Sequence, residues 1–157
     1  MTADAPITVI TAPPPTPNGD LHLGHLSGPY LALDVFRRYK LMRGVRTVSA
    51  VSVDTNQSYV VTTAERLGMR PDLLVAKSYA EISATFAKAE ILPDVVGAPD
   101  ANYESYVGDW FSRFAAKGLL QPKRLSMPFD LERGRFLFES YVKGLCPHCL
   151  AGTNGNI

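Results

Sequence analysis

The sequence predicts an α/β fold built on a parallel sheet, with a small β-hairpin module towards its C-terminus. Three observations carry that prediction. A short apolar run at residues 7–11 (ITVIT) leads through a turn-rich loop into helical apolar spacing over 26–42. A second run of small and β-branched residues at 45–53 follows that helix at once, and strand, helix, strand is the right-handed parallel unit. Past Gly118, strand-like alternation replaces helical spacing.

Taken in order, the first run reads as a buried strand, and the loop after it is PPPTPNGDLHLGH, residues 13–25. Its prolines, Thr-Pro and Asn-Gly fix a course without side-chain bulk. The helix over 26–42 stops at Arg43-Gly44, with glycine where a C-terminal cap requires it. The second strand, 45–53, runs into Asp54. Helical spacing returns over 57–67 and 71–90, separated by Gly68 and restarted by Pro71. On the second of these helices Tyr79, Ile82 and Phe86 form a stripe that reads as core. A third short strand is expected over 91–96, with Pro93 at its edge. After a turn at Ala98-Pro99-Asp100, a helix over 102–116 is expected to pack Trp110, Phe111 and Phe114 inward. Two strands, 120–125 and 136–142, are then expected, joined through MPFDLERGR.

The chemistry concentrates at the first loop. Parallel sheets bind ligands where strands hand over to helices, because free amides and the positive dipole end favour phosphate there. His22 and His25 lie three residues apart and share a face on a helical start. Such a pair can donate to triphosphate oxygens as charge builds at the α-phosphate. The plainer alternative is that one histidine caps a helix and the other is a solvated surface residue. Gly24 lets something approach the backbone between the two imidazoles. Asp54, at the carboxyl end of the second strand, is placed to hold a cationic amino group or a ribose hydroxyl; the alternative is that it caps the next helix.

Composition narrows the class. The 157 residues are 46% apolar and 20% charged, enough for one globular domain with a real core. The formal net charge of +1 gives no electrostatic case for nucleic-acid binding. No stretch approaches the roughly 20 apolar residues of a membrane span, and MTADAPITVI lacks the basic region and long apolar segment of a leader, so a cytoplasmic chain is expected. Two cysteines, Cys146 and Cys149, form CPHC; that spacing reads as half of a zinc site or a redox pair, with His148 turned away. Because two further ligands are missing, a truncated protein is expected.

The stretch PNGDLHLGHL resembles the first signature of class I aminoacyl-tRNA synthetases, His-Ile-Gly-His in its usual form, and most resembles the methionyl branch. The likeness continues through ALDVFRRYKLMRG and LFESYVKGLCPHC. It implies a Rossmann-like, nucleotide-binding core of the HIGH superfamily, with 1–118 as the N-terminal half of the catalytic domain. Residues 119–157 would begin a connective insertion carrying half of a zinc knuckle. It further implies ATP with Mg2+ and an amino acid as ligands, adenylate formation as the activity, and tRNA and the remainder of the catalytic domain as partners. Carried over by position, His22 and His25 contact the phosphates, Asn18, Gly19 and Gly24 shape the ATP loop, and Asp54 holds the substrate amino group. Cys146 and Cys149 match the first ligand pair of the knuckle, its zinc completed by ligands beyond residue 157.

The chain also departs from that pattern. Where the methionyl branch has a leucine and a tyrosine lining the thioether pocket, Pro14 and Thr16 stand here. Its Asp-x-His-Gly becomes Asp54-Thr55-Asn56-Gln57, and the turn after the third strand, which usually leads to Thr or His side chains near the adenylate, is Gly97-Ala98-Pro99. The second signature, Lys-Met-Ser-Lys-Ser, is absent, so the 157 residues alone are not expected to run the reaction at a normal rate. The departures suit a repurposed paralogue that passes an activated amino acid to a small amine or hydroxylamine. Other readings are a degenerate nucleotide-binding domain and a small nucleotidyltransferase; the hairpin and CPHC argue against the last.

Overall fold

The computed structural model describes residues 6–154. By its contacts the chain divides into two compact units, Met1–Pro99 and Asp100–Ile157. The first holds a three-stranded parallel sheet of β1 (Thr8–Thr11), β2 (Thr47–Ser52) and β3 (Val95–Gly97), in the order β1-β2-β3. Thr8 stands opposite Thr47, and Ala50 opposite Val95. The expected parallel α/β architecture is therefore present.

Period-two alternation decides what each strand buries. Ser49, Val51 and Val53 of the β2 segment are buried, with Ile10 and Val96 from its neighbours packed on the same side. Against that face lie Tyr30, Leu33, Ile82, Phe86 and Ile91; Tyr30 meets Phe86 edge-on with ring centroids 5.0 Å apart. The stripe read from the sequence is core: Ile82 and Phe86 are buried, and Tyr79 donates from its hydroxyl to the Val96 carbonyl at 2.8 Å. The opposite face is bare, with Val9, Val48 and Val95 at 66%, 40% and 51% exposure.

The first helix differs from its expected course over 26–42. A single turn, α1 (Leu23–His25), passes into a wide π-type turn over Leu26–Tyr30, and the regular helix α2 spans only Leu31–Met42. Pro29 is the cause. It has no N–H to give, and it pushes the preceding residue out of helical geometry, so Gly28 sits at φ −88°, ψ −109°. Gly44 then adopts φ +71°, as a glycine stop should.

Helices α3 (Ser58–Leu67) and α4 (Pro71–Lys88) follow as expected, α3 closed by Gly68 at φ +63° and α4 opened by proline. A smaller core of Val60, Ala64 and Leu74 joins them. The third strand is shorter and later than 91–96, because Asp94 is occupied elsewhere. Its carboxylate accepts from the Ser49 N–H at 2.8 Å and Ser49 Oγ at 3.0 Å, extending the β2–β3 ladder by one side-chain rung. Arg37 of α2 grips the same carboxylate through Nε at 2.9 Å and through Nη2. Nearby, buried Asp34 accepts from Arg38 Nε at 2.6 Å and from the Leu92 N–H at 3.3 Å. These carboxylates fasten α2 to the approach to β3.

In the second unit, α5 (Ala101–Ala116) is capped by Asp100, which accepts from the Tyr103 N–H at 2.8 Å. Its aromatics do not pack inward as expected: Trp110, Phe111 and Phe114 are 43%, 64% and 40% exposed. They associate along the helix instead, with Trp110 5.6 Å from Phe114 and Arg113 over the Trp110 ring. The short hairpins of this unit supply no broad layer to cover them. Those hairpins are also displaced from the expected strands. Residues 120–125 are irregular, and the pairing lies inside the segment read as a connection: β4 (Phe129–Asp130) against β5 (Arg135–Phe136). Asp130 Oδ1 accepts from the Glu132 and Arg133 N–H groups, so the aspartate nucleates the turn that Gly134 completes at φ +62°. A 3-10 turn at Glu139–Tyr141 replaces most of the expected second strand, and β6 (Lys143–Leu145) pairs antiparallel with β7 (Gly152–Asn154). Among the described residues no helix is long and apolar enough to cross a membrane.

The Arg37 guanidinium, then Ser49, holds the Asp94 carboxyl well below the usual carboxylate range. A depressed aspartate contributes stability above its ordinary value of 3.8 and loses it as pH falls further. Asp94→Asn is therefore expected to cost roughly 2 kcal/mol in urea unfolding near neutral pH. The gap from wild type should narrow in acid.

Candidate active site

The loop over 13–25 reaches the carboxyl ends of the strands as a chain of prolines, and prolines offer only carbonyls. Two of those carbonyls are gripped. Tyr30, buried beneath the loop, donates from its hydroxyl to Pro13 O at 3.1 Å. The Asp54 N–H, just past the end of β2, donates to Pro15 O at 2.9 Å. Pro15 and Pro17 are buried, whereas Pro14 and Asn18 are exposed and Thr16 and Gly19 half-buried. The Asn18 N–H closes a tight turn onto Thr16 O at 2.9 Å. Asp20 anchors the far end: Oδ1 accepts from the Leu21 N–H and Oδ2 from Thr85 Oγ1 of α4, both at 2.7 Å.

This anchoring delivers His22 and His25 to one turn. Their rings stack with centroids 3.8 Å apart and planes 25° from parallel, as the three-residue spacing predicts. His22 is the N-cap of α1: its Nδ1 accepts from the Gly24 N–H at 3.1 Å and the His25 N–H at 3.4 Å. His25 Nδ1 accepts in turn from the His22 N–H at 3.3 Å. The capping alternative therefore holds for His22. A neutral imidazole that accepts at Nδ1 carries its proton on Nε2, so the network assigns both rings as Nε2–H donors. Gly24 is needed by a close approach: a Cβ there would stand 3.0 Å from His22 Cε1. The group admitted beside the Gly24 backbone is thus the His22 ring itself.

Asp54 does not cap α3. Gln57 occupies that cap position, and its Nε2 donates to Asp54 Oδ2 at 2.9 Å. A cavity of about 460 Å3 opens beside this pair, lined chiefly by Thr55, Asn56, Gln57, Val60, Val75 and Pro99. Neither histidine nor Asp54 lines it, so the cavity does not contain those side chains. Tyr30, Gln57 and Thr85 were not singled out as site residues by the sequence. Tyr30 and Thr85 carry no signal beyond helical spacing. Gln57 stands in the Asp-x-His-Gly alignment but shows no partner there.

Cys146 and Cys149 lie in the second unit on a knuckle where the Leu150 N–H donates to Cys146 O and the Cys146 N–H to Ala151 O, each at 2.9 Å. Amides of Cys149 and His148, then the Cys149 thiol, pull the Cys146 thiol below its ordinary value. Both cysteines are free thiols. They supply two ligands of the four a closed zinc site requires, and no cluster of three or more His, Cys, Asp or Glu forms among the described residues.

Burial, then the neighbouring charge of His22, lowers the His25 imidazole below its ordinary 6.5. The unfolded chain therefore binds more protons than the folded one below that pH, and stability falls as pH drops through the window beneath it. Urea unfolding from about pH 7.5 to about pH 5 should show wild type losing stability relative to His25→Gln. A constant gap would exclude this linkage.

The comparisons with known proteins agree with this geometry. The family model described as tRNA synthetases class I (M) matches residues 8–156. The methionine–tRNA ligase of Chlorobium chlorochromatii is 34% identical over 143 residues, covering 90% of this chain and 20% of the relative. That of Chlorobaculum tepidum is 32% identical over 151 residues, covering 95% and 22%. Among solved structures, the ternary complex of Agrobacterium radiobacter K84 agnB2 LeuRS, tRNA and LeuAMS superposes with a TM-score of 0.74 at 16% identity, over 98% of this chain and 21% of that one. The chain thus spans about a fifth of the length of the relatives it matches. With the parallel sheet, the proline-rich loop and the stacked His-Leu-Gly-His turn in place, the family match establishes that this chain belongs to the class I tRNA synthetases of the methionyl type.

Proposed function

We propose that this chain is the ATP- and amino-acid-binding part of an adenylate-forming ligase, residues 1–118 being the N-terminal half of its catalytic domain and 119–157 the start of the connective insertion. The observation that carries the reading is the stacked histidine pair, whose Nδ1 atoms are both engaged by backbone N–H groups and whose Nε2–H groups are left to donate. In the reaction the amino-acid carboxylate attacks the α-phosphorus, the bond to the pyrophosphate oxygen breaks, and a mixed anhydride remains. Negative charge grows on the phosphate oxygens in that step, and fixed donors aimed at it need no reorganisation. Mg2+ would arrive on the triphosphate. Asp54 supplies the counter-charge for the substrate ammonium, and its backbone bond to Pro15 ties that site to the histidine loop. The remainder of the catalytic domain, including the absent lysine-rich signature, completes the machine in the cytoplasm.

The names of the relatives favour methionine as the amino acid and tRNA as the acceptor. Pro14 and Thr16 favour a second reading, because they replace the leucine and tyrosine of the methionine pocket and leave it without an aromatic wall. On that reading the ligase passes its activated amino acid to a small amine or hydroxylamine. The net charge of +1 adds nothing for tRNA in this part of the protein. Cys146 and Cys149 would hold zinc together with two ligands beyond residue 157, and the zinc would stabilise the insertion.

Amino-acid-dependent exchange of pyrophosphate into ATP by the full-length natural protein tests the proposal. Exchange with methionine supports the first reading, exchange only with another amino acid the second, and ATP binding without exchange a degenerate nucleotide-binding domain. His22→Asn and His25→Asn should each cost about 2 to 4 kcal/mol of transition-state stabilisation, read as a fall in kcat. Asp54→Asn should raise the amino-acid KM far more than the ATP KM; equal effects would remove its amino-group role. Gly24→Ala should displace the His22 ring and lower exchange, with a modest fall in Tm, since the ring it meets also caps α1.

A further inference from the structure

One polar side chain beside Asp54 has no part in the scheme above. Gln57 stands at the N-cap of α3 in extended geometry, φ −70° and ψ 136°, where side chains ordinarily turn forward to cap the free amides. It makes no capping bond. Its amide turns back instead and donates to Asp54 Oδ2 at 2.9 Å in a half-buried setting. Asp54 is thereby held twice, at its backbone N–H by Pro15 O and at its carboxylate by Gln57. In the Asp-x-His-Gly pattern the corresponding residue is glycine, which has no side-chain donor, so this contact belongs to the present chain.

We propose that Gln57 is a positioning residue that fixes the rotamer of the Asp54 carboxylate for the substrate ammonium. The inference rests on the reading of Asp54 as the amino-group partner. A carboxylate free to turn about its side-chain torsions loses entropy when it meets an ammonium; one already held by a neutral donor has been ordered beforehand. A neutral amide serves this role without cancelling the charge, whereas an arginine or lysine there would compete with the substrate. Gln57 also lines the cavity of about 460 Å3, so the residue that holds Asp54 borders the neighbouring space.

The test uses the full-length natural protein, pyrophosphate exchange over the standard L-amino acids, and three variants: Gln57→Leu, Gln57→Glu and Asp54→Asn. Circular dichroism verifies folding, and Gln57→Glu keeps the shape if Gln57→Leu does not fold. For the amino acid that supports exchange, Gln57→Leu is expected to raise KM about tenfold with kcat and the ATP KM within about twofold. Gln57→Glu should raise it further by repelling Asp54. Inhibition by the des-amino counterpart of that amino acid, which has no ammonium to place, should be the same in wild type and Gln57→Leu. If Asp54→Asn raises the amino-acid KM while neither Gln57 variant does, the positioning role is overturned and the Asp54 reading stands. If Asp54→Asn leaves that KM unchanged, or wild type exchanges with no amino acid, the underlying reading falls and the Gln57 role with it. Equal weakening of ATP, amino acid and des-amino analogue by Gln57→Leu would mean a disturbed start of α3 and would also overturn the proposal.

Discussion

A loop made of prolines can be fastened only by its carbonyls, and the candidate site depends on that constraint. Prolines have no N–H to place in a ladder, so the segment ahead of the histidines cannot pair as a strand. It is held instead by two donors, the Tyr30 hydroxyl on Pro13 and the Asp54 amide on Pro15. Tyr30 is itself fixed by burial against Phe86, so the hydrophobic core sets the height of the loop. The Asp54 amide ties it to the end of the central strand. The site is therefore referenced to the hydrophobic core and to the central strand.

Each imidazole of the histidine turn is tied to the backbone. Nδ1 of His22 accepts from the Gly24 and His25 N–H groups and Nδ1 of His25 from the His22 N–H, which fixes ring and tautomer together. On the proposed function, capping and ligand binding, which look like rivals in the sequence, fall to the two nitrogens of one ring. Burial, then the neighbouring charge of His22, lowers the affinity of His25 for a second proton.

Much of this was legible in the sequence, for identifiable reasons. Parallel strand order, the helix stops at Gly44 and Gly68, the Ile82–Phe86 stripe and the stacked histidines all follow from local periodicity or turn chemistry, and the structure has each of them. What failed involved partners distant in sequence. Asp94 shortened the third strand by reaching Ser49 and Arg37, and Thr85 took on a contact with Asp20 that no spacing announces. The Gly28-Pro29 break was visible as residues, but unbroken apolar spacing around it argued for a continuous helix. The α5 aromatics have core composition, yet burial needs a covering layer, and periodicity does not report one.

The bare face of the sheet has a practical consequence. Val9, Val48 and Val95 turn outward from neighbouring strands, and β1 is an edge strand of the described sheet. An apolar surface and an open hydrogen-bonding edge in one place form a template for strand-to-strand aggregation. In any preparation of this piece β1 is therefore one place where copies can pair, and a charged residue at Val9, the most exposed of the three valines, would oppose that pairing without touching the core or the histidine turn.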